Sequence, residues 1–240
     1  MVIKFKYLAI FLLVNLLTIN FVQAETFYGP ADLSSKTYDN LTINGPADLK
    51  EIKTNSLNIN GPLTFKGLEV KNNTSIKGPT KGKNGTFADL SIAGPLEARK
   101  MICNALEVKG PVSLTDFEVK GNAAISGPVA AQKGVFQDLT VYAPEITLKD
   151  VMVKNIVVKK LDKHHKKPTI ELQGKTIVSG NITFESGDGE VTQEKGSKIE
   201  GKIMGGTLSS NELIYESMGF KLDFSMNSQP SMMINFMLIV

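Results

Sequence analysis

Residues 45–79 read GPADLKEIKTNSLNINGPLTFKGLEVKNNTSIKGP, from Gly45 to Pro79. Three Gly-Pro pairs bracket two units of nearly equal length. The pair recurs at Gly29-Pro30, Gly94-Pro95, Gly110-Pro111 and Gly127-Pro128, with Ala143-Pro144 as a degenerate eighth. Successive prolines from Pro30 to Pro144 lie 16, 16, 17, 16, 16, 17 and 16 residues apart. A fixed short period is the mark of a repeat architecture.

Within each unit the apolar residues alternate. Leu57-Asn58-Ile59 precedes one corner, Leu63-Thr64-Phe65 follows it, and Leu68-Glu69-Val70 lies mid-unit. Alternation with a period of two means a strand with one buried face. Three short strands per unit predict an all-β, single-stranded parallel β-helix (β-solenoid) of 16–17-residue coils. Stacking places Ile43, Ile59, Ile76, Ile92, Val108, Ile125, Val141 and Val158 in one interior column. Cys103 falls in the register of Val70, Val119 and Val153, which makes it a small core residue. Proline suits a corner where no ladder donor is needed, and glycine allows close backbone approach there. A unit this short cannot bury its apolar side without neighbours above and below. At about 4.8 Å per coil, roughly eleven coils from Gly29 to Leu208 make a rod about 50 Å long.

A longer period sits over the short one. Leu68-Glu69-Val70-Lys71 corresponds to Phe117-Glu118-Val119-Lys120, and Phe87, Asp89 and Leu90 correspond to Phe136, Asp138 and Leu139, each 49 residues on. A block of three units has been duplicated.

Working outward, residues 1–24 read as a secretory signal peptide. Lys4 and Lys6 precede the apolar run Tyr7 to Leu17, and Val22-Gln23-Ala24 supplies the cleavage site. The expected location is therefore exported: periplasm, cell surface or medium. Membrane contact is expected only through an uncleaved leader. The regular solenoid spans 25–158, a basic loop 159–168, and a less regular continuation 169–208. Residues 209–240 form an irregular Met-rich tail suited to capping the open end.

The 240 residues contain no tryptophan, only 7% aromatics and one cysteine. No intramolecular disulfide or cysteine-based metal site is expected. The 27 basic residues include one arginine, Arg99, and face 24 acidic ones. That balance argues against a nucleic-acid partner, for which arginine's planar fork is favoured. In the basic loop, Lys159, Lys160, Lys163, Lys166 and Lys167 are candidate contacts for an anionic surface. His164 and His165 stand beside no further ligands that would mark a metal site.

No catalytic set is expected, and no cofactor. Glycosidase carboxylates lie about 5–9.5 Å apart, whereas Asp89 and Asp138 share a column three coils apart, about 14 Å. An acyltransferase solenoid would need an 18-residue coil and a histidine at a cleft. The outward column Thr42, Asn58, Ser75, Ser91, Glu107, Ala124, Thr140 and Val157 is too mixed for ice binding.

Gly180-Asn181-Ile182 and Lys198 to Ile203 (Lys-Ile-Glu-Gly-Lys-Ile) resemble bactofilins, polymer-forming β-helix proteins. The likeness covers about 35 residues and implies end-to-end stacking of this chain on itself. The signal peptide departs from the cytosolic family. The Gly-Pro units also resemble exported bacterial Gly-Pro repeat β-solenoid proteins, a likeness that implies no activity. The expected function is that of an exported, non-enzymatic structural or interaction protein, scaffold- or adhesin-like, with itself, a cell envelope or a polysaccharide surface as partner. The alternative is a carbohydrate-binding or carbohydrate-active β-helix, which a groove of aromatics and acids would favour.

Overall fold

A computed structural model of the protein describes residues 24–161 and 166–210. The expected signal peptide up to residue 23, Lys163 with both histidines, and the residues beyond 210 lie outside the described residues. Three short strands open the stack: β1 (Glu25–Tyr28), β2 (Ala31–Ser34) and β3 (Thr37–Asn44). Seven long strands follow: β4 (Ala47–Asn60), β5 (Leu63–Lys77), β6 (Thr80–Ala93), β7 (Leu96–Lys109), β8 (Val112–Ser126), β9 (Val129–Val141) and β10 (Glu145–Val158). Seven short ones complete it: β11 (Thr169–Gln173), β12 (Ile177–Val178), β13 (Ile182–Phe184), β14 (Gly189–Gln193), β15 (Lys198–Ile199), β16 (Ile203–Met204) and β17 (Gly206–Ser210). All pair in parallel in one sheet, each coil lying on the next, which makes the protein a parallel β-solenoid.

The coils number eleven, counted down the column Ala31, Ala47, Leu63, Thr80, Leu96, Val112, Val129, Ile146, Ile170, Val191 and Leu208. The interior column expected from the period forms in full. Ile43, Ile59, Ile76, Ile92, Val108, Ile125, Val141 and Val158 pair in order, and each is buried. Each such side chain contributes about 1.5–3 kcal/mol by leaving water. Inward residues come in three pairs per long coil, as Leu63/Phe65, Leu68/Val70 and Thr74/Ile76 in β5. The hydrogen-bonded ladder runs on through the bends between them.

The Gly-Pro corner works through its donors. The N–H of Gly78 donates to the Ala93 carbonyl of the next coil, and that of Thr80 to the Pro95 carbonyl. Pro79, between them, has no N–H to place, so the ladder loses nothing. The glycines stack so closely that a methyl group on Gly94 would lie 2.6 Å from the Gly78 carbonyl oxygen.

The second bend was not foreseen. Ser35, Glu51, Gly67, Asn84, Lys100, Asp116, Lys133 and Asp150 all have φ between 51° and 76°, one per coil. The left-handed conformation costs a non-glycine residue roughly 1 kcal/mol, and the in-register ladder on both sides holds it. The third bend accounts for the 17-residue units. Pairing shifts between Val70 and Asn73 and between Val119 and Asn122, where β5 and β8 each bulge by one residue. Amide side chains tie coils together here. Asn55 Nδ2 donates to Asp39 Oδ1 at 2.6 Å and Asn155 Nδ2 to Asp138 Oδ1 at 2.7 Å.

Pro144 sits one residue out of register. Five residue steps separate Val141 from Ile146, where four separate Ile125 from Val129. The added residue turns Ala143 inward, where it is buried. The basic segment then leaves the stack after Val158, and the chain re-enters at Thr169, which pairs with Glu145.

Candidate functional site

Outward side chains form columns as regular as the inward ones, because each coil repeats the last in register. On the strand segment after the Gly-Pro corner, one outward column reads Asp48, Thr64, Lys81, Glu97 and Ser113. Two residues further along each coil, the next reads Lys50, Lys66, Lys83, Arg99 and Thr115. Between them runs a furrow of about 490 Å³ along the stack. Its floor is the backbone of Phe65, Gly82 and Ala98, whose side-chain positions face inward.

Charges are distributed unevenly across the two rims. Lys81 pairs with Glu97 at 2.9 Å. Lys50 pairs with Asp48 at 3.0 Å and Asp32 at 3.5 Å. The hydrogen bond it donates to Asp48, aided by the charge of Asp32, holds the Lys50 ammonium above the ordinary lysine range. Lys66, Lys83 and Arg99 have no carboxylate within ion-pair distance among the described residues, and all three are exposed.

In the basic segment three of the candidate lysines have carboxylate partners. Lys159 Nζ pairs with Glu185 at 2.6 Å, Lys166 with Glu145 at 3.2 Å and Lys167 with Glu190 at 3.1 Å. The Lys160 N–H donates to the second Glu185 oxygen at 3.4 Å. These pairs offset three of the lysine charges and fasten both ends of the segment to neighbouring coils. The hydrogen bond with Lys159 holds Glu185 below the ordinary carboxylate range.

Asp89 pairs with Ala105 and Asp138 with Asn122, so the two acids stand three coils apart, as the period required. Among the described residues no three His, Cys, Asp or Glu side chains gather closely enough to hold a metal ion. Cys103 is fully buried between Phe87 and Val119. Burial, with a lesser push from Asp89, raises its thiol to about 12.

No family model matches the chain, and no curated protein or solved structure matches it. The functional reading therefore rests on geometry.

The furrow was legible in principle. Lys50, Lys66, Lys83 and Arg99 lie one repeat apart, at intervals of 16, 17 and 16 residues. Exposed basic residues carry no signature of burial, so the column stands out only once the register of the coils is known.

Proposed function

We propose that this is an exported, non-enzymatic rod, three-sided in cross-section, that acts through its lateral faces as a structural or interaction protein. The supporting observation is the register of the outward columns. A partner that is itself extended meets side chains at equal steps of one coil height, so contacts add along the rod. An enzyme needs the opposite arrangement, a few unlike groups converging on one point. Among the described residues β1 and β17 are each paired on one side only, and an open ladder edge is a template for a further strand. End-to-end association, the property implied by the bactofilin likeness, belongs to the same reading as a second mode of assembly.

Fractionation of cells making the full chain, with mass spectrometry of the product, tests export. The expected product begins at Glu25 and lies outside the cytosol; an intact chain held in the cytosol overturns export. Small-angle scattering of the same product tests the rod: an elongated particle is expected, and a compact one overturns the reading. Depolymerisation of an offered polysaccharide by the purified protein would overturn the non-enzymatic assignment.

A further inference from the structure

We propose that the furrow binds a single chain of an acidic polysaccharide, one sugar per coil, with Lys66 and Arg99 as contacts for carboxylates on the same side of the chain and Lys83 between them. The inference rests on the reading of the lateral face as the interaction surface and names its partner.

The three cations pair in register, Lys66 with Lys83 and Lys83 with Arg99. They therefore stand about 4.8 Å apart along the rod. Like charges directly opposite on adjacent strands weaken a sheet. Elsewhere charges in register are compensated: Lys53 lies against Glu69 at 3.1 Å and Lys81 against Glu97, and where Asp32 lies against Asp48, Lys50 pairs with both. A column of three uncompensated cations does nothing for the fold, and its charge is free for an external anion.

The duplication supplies an internal control. Forty-nine residues after Lys66 and Lys83 stand Thr115 and Gln132, further along the same column. The copied positions keep their place in the fold without the charge. The basic run is thus a local feature of the furrow and not a requirement of the repeat.

Geometry selects the class of anion. The rims stand two residues apart on one strand, about 6.6 Å. That admits one file of sugar rings and excludes a nucleic-acid duplex, whose charges also come far more densely, one per about 1.7 Å of axis. One sugar of an extended 1,4-linked chain advances by nearly one coil height and successive rings turn over, so carboxylates on one side recur about every second coil, in step with Lys66 and Arg99, with Lys83 between them in reach of both. Arg99 can meet a carboxylate with two parallel hydrogen bonds. The facing rim offers the Thr64 and Ser113 hydroxyls and the Lys81–Glu97 pair to the ring hydroxyls. Single-stranded nucleic acid is held by aromatic platforms on which bases stack. The one ring here, Phe65, is only 2% exposed.

The test titrates the full chain with end-labelled oligogalacturonates of one to six sugars at low salt. Wild type is compared with Lys83→Gln, Arg99→Gln, their double variant, and Lys109→Gln as a control outside the furrow. Affinity should rise with length to three or four sugars and then level. Each furrow variant should lose about tenfold, since a charged hydrogen bond contributes about 1.5–3 kcal/mol. The control should bind as wild type, and the furrow variants should melt no lower than wild type, since they relieve like-charge repulsion. Three results would overturn the proposal: equal binding by the furrow variants, equal binding of a neutral glucan, or preferential binding of single-stranded DNA or anionic vesicles. A rod by scattering that binds no uronate overturns this inference and leaves the lateral-face reading standing; a compact particle overturns both.

Discussion

Phe65 and Gly82 occupy the same interior position in successive coils, and the ring of Phe65 fills the space that a side chain on Gly82 would need. The second half of the protein repeats the device with Phe117 and Gly134. At these two positions the thin core admits a large ring because the next coil gives up its side chain. The ring then packs edge-on against a neighbour, 5.7 Å between centroids for Phe65 and Phe87. Gly82→Ala should therefore destabilise by about 1–3 kcal/mol through overpacking. In a Phe65→Leu background most of that cost should vanish. A double-mutant cycle by chemical denaturation measures the coupling; additive effects would mean that the ring does not own the space.

Ile92 and Ser91 test the facing of the strand. Ile92 is buried in its column and Ser91 is exposed beside it. Ile92→Asp places a carboxylate where no partner stands, at a cost of about 3–5 kcal/mol. Contacts in a solenoid are with adjacent coils only. Hydrogen exchange should therefore quicken most over residues 80–109, with 169–208 less affected. Ser91→Asp should change stability by less than about 0.5 kcal/mol. Equal effects of the two substitutions would reverse the assigned faces.

How far the sequence alone reaches follows from what repeats. The columns of Ile43 to Val158 and of Val70, Cys103 and Val119 were legible because burial imposes apolar side chains at a fixed interval. The left-handed bend was not, because Ser35, Glu51, Lys100 and Lys133 look like any exposed polar residue; only Gly67, Asn84, Asp116 and Asp150 are of types that favour it. The bulges at Asn73 and Asn122 were visible as 17-residue intervals, but counting gives an extra residue without its place. Pro144 misled by one position, since Ala143 reads as a worn glycine when it is in fact turned into the core. The ion pairs of Lys159, Lys166 and Lys167 join residues 21 to 26 apart, across coils of altered length, where the period no longer predicts neighbours.

Thr74 occupies an interior position between Leu57 and Leu90, and its hydroxyl finds no partner. Thr54, at a comparable place in the core, donates to the Ser56 carbonyl at 2.9 Å. An unmatched buried hydroxyl costs about 1–3 kcal/mol. Thr74→Val keeps the shape and removes the cost, so it should stabilise by about 1 kcal/mol or more. Thr54→Val should destabilise. Paired denaturation curves decide, and a loss of stability in Thr74→Val would show that the hydroxyl is satisfied in solution.

Lys159 and Glu185 give a titration that reports on the base of the basic segment. The carboxyl of Glu185 is held low by its hydrogen bond from Lys159. A depressed folded value means that the pair's contribution is present above the unfolded carboxyl value, about 4.3. It is lost as pH falls through the lower folded value. Carboxyl NMR should find Glu185 titrating below ordinary glutamates, and Lys159→Met should return it to their range. An unchanged titration in that variant would remove Lys159 as the cause.

Cys103 links the core to alkaline stability. Its thiol is buried at the centre of the stack and raised to about 12, while an unfolded chain's thiol ionises near 8.5. A raised folded value means that the neutral thiol's contribution is whole below about 8.5 and is lost as pH climbs towards about 12. The slope is about 1.4 kcal/mol per pH unit over that window. Lysines and tyrosines titrate there too, so the informative quantity is the difference from Cys103→Ala. That variant should be less stable at pH 7, because it leaves a small void beside Phe87 and Val119. The gap should close as pH rises above about 8.5, since only the wild-type unfolded chain gains a thiolate. Thiol reagents should react with Cys103 at the rate at which the surrounding coils open. Fast reaction of the folded protein at pH 8, or a stability gap independent of pH, would show the thiol to be in contact with water and the stack around it to be looser than its register implies.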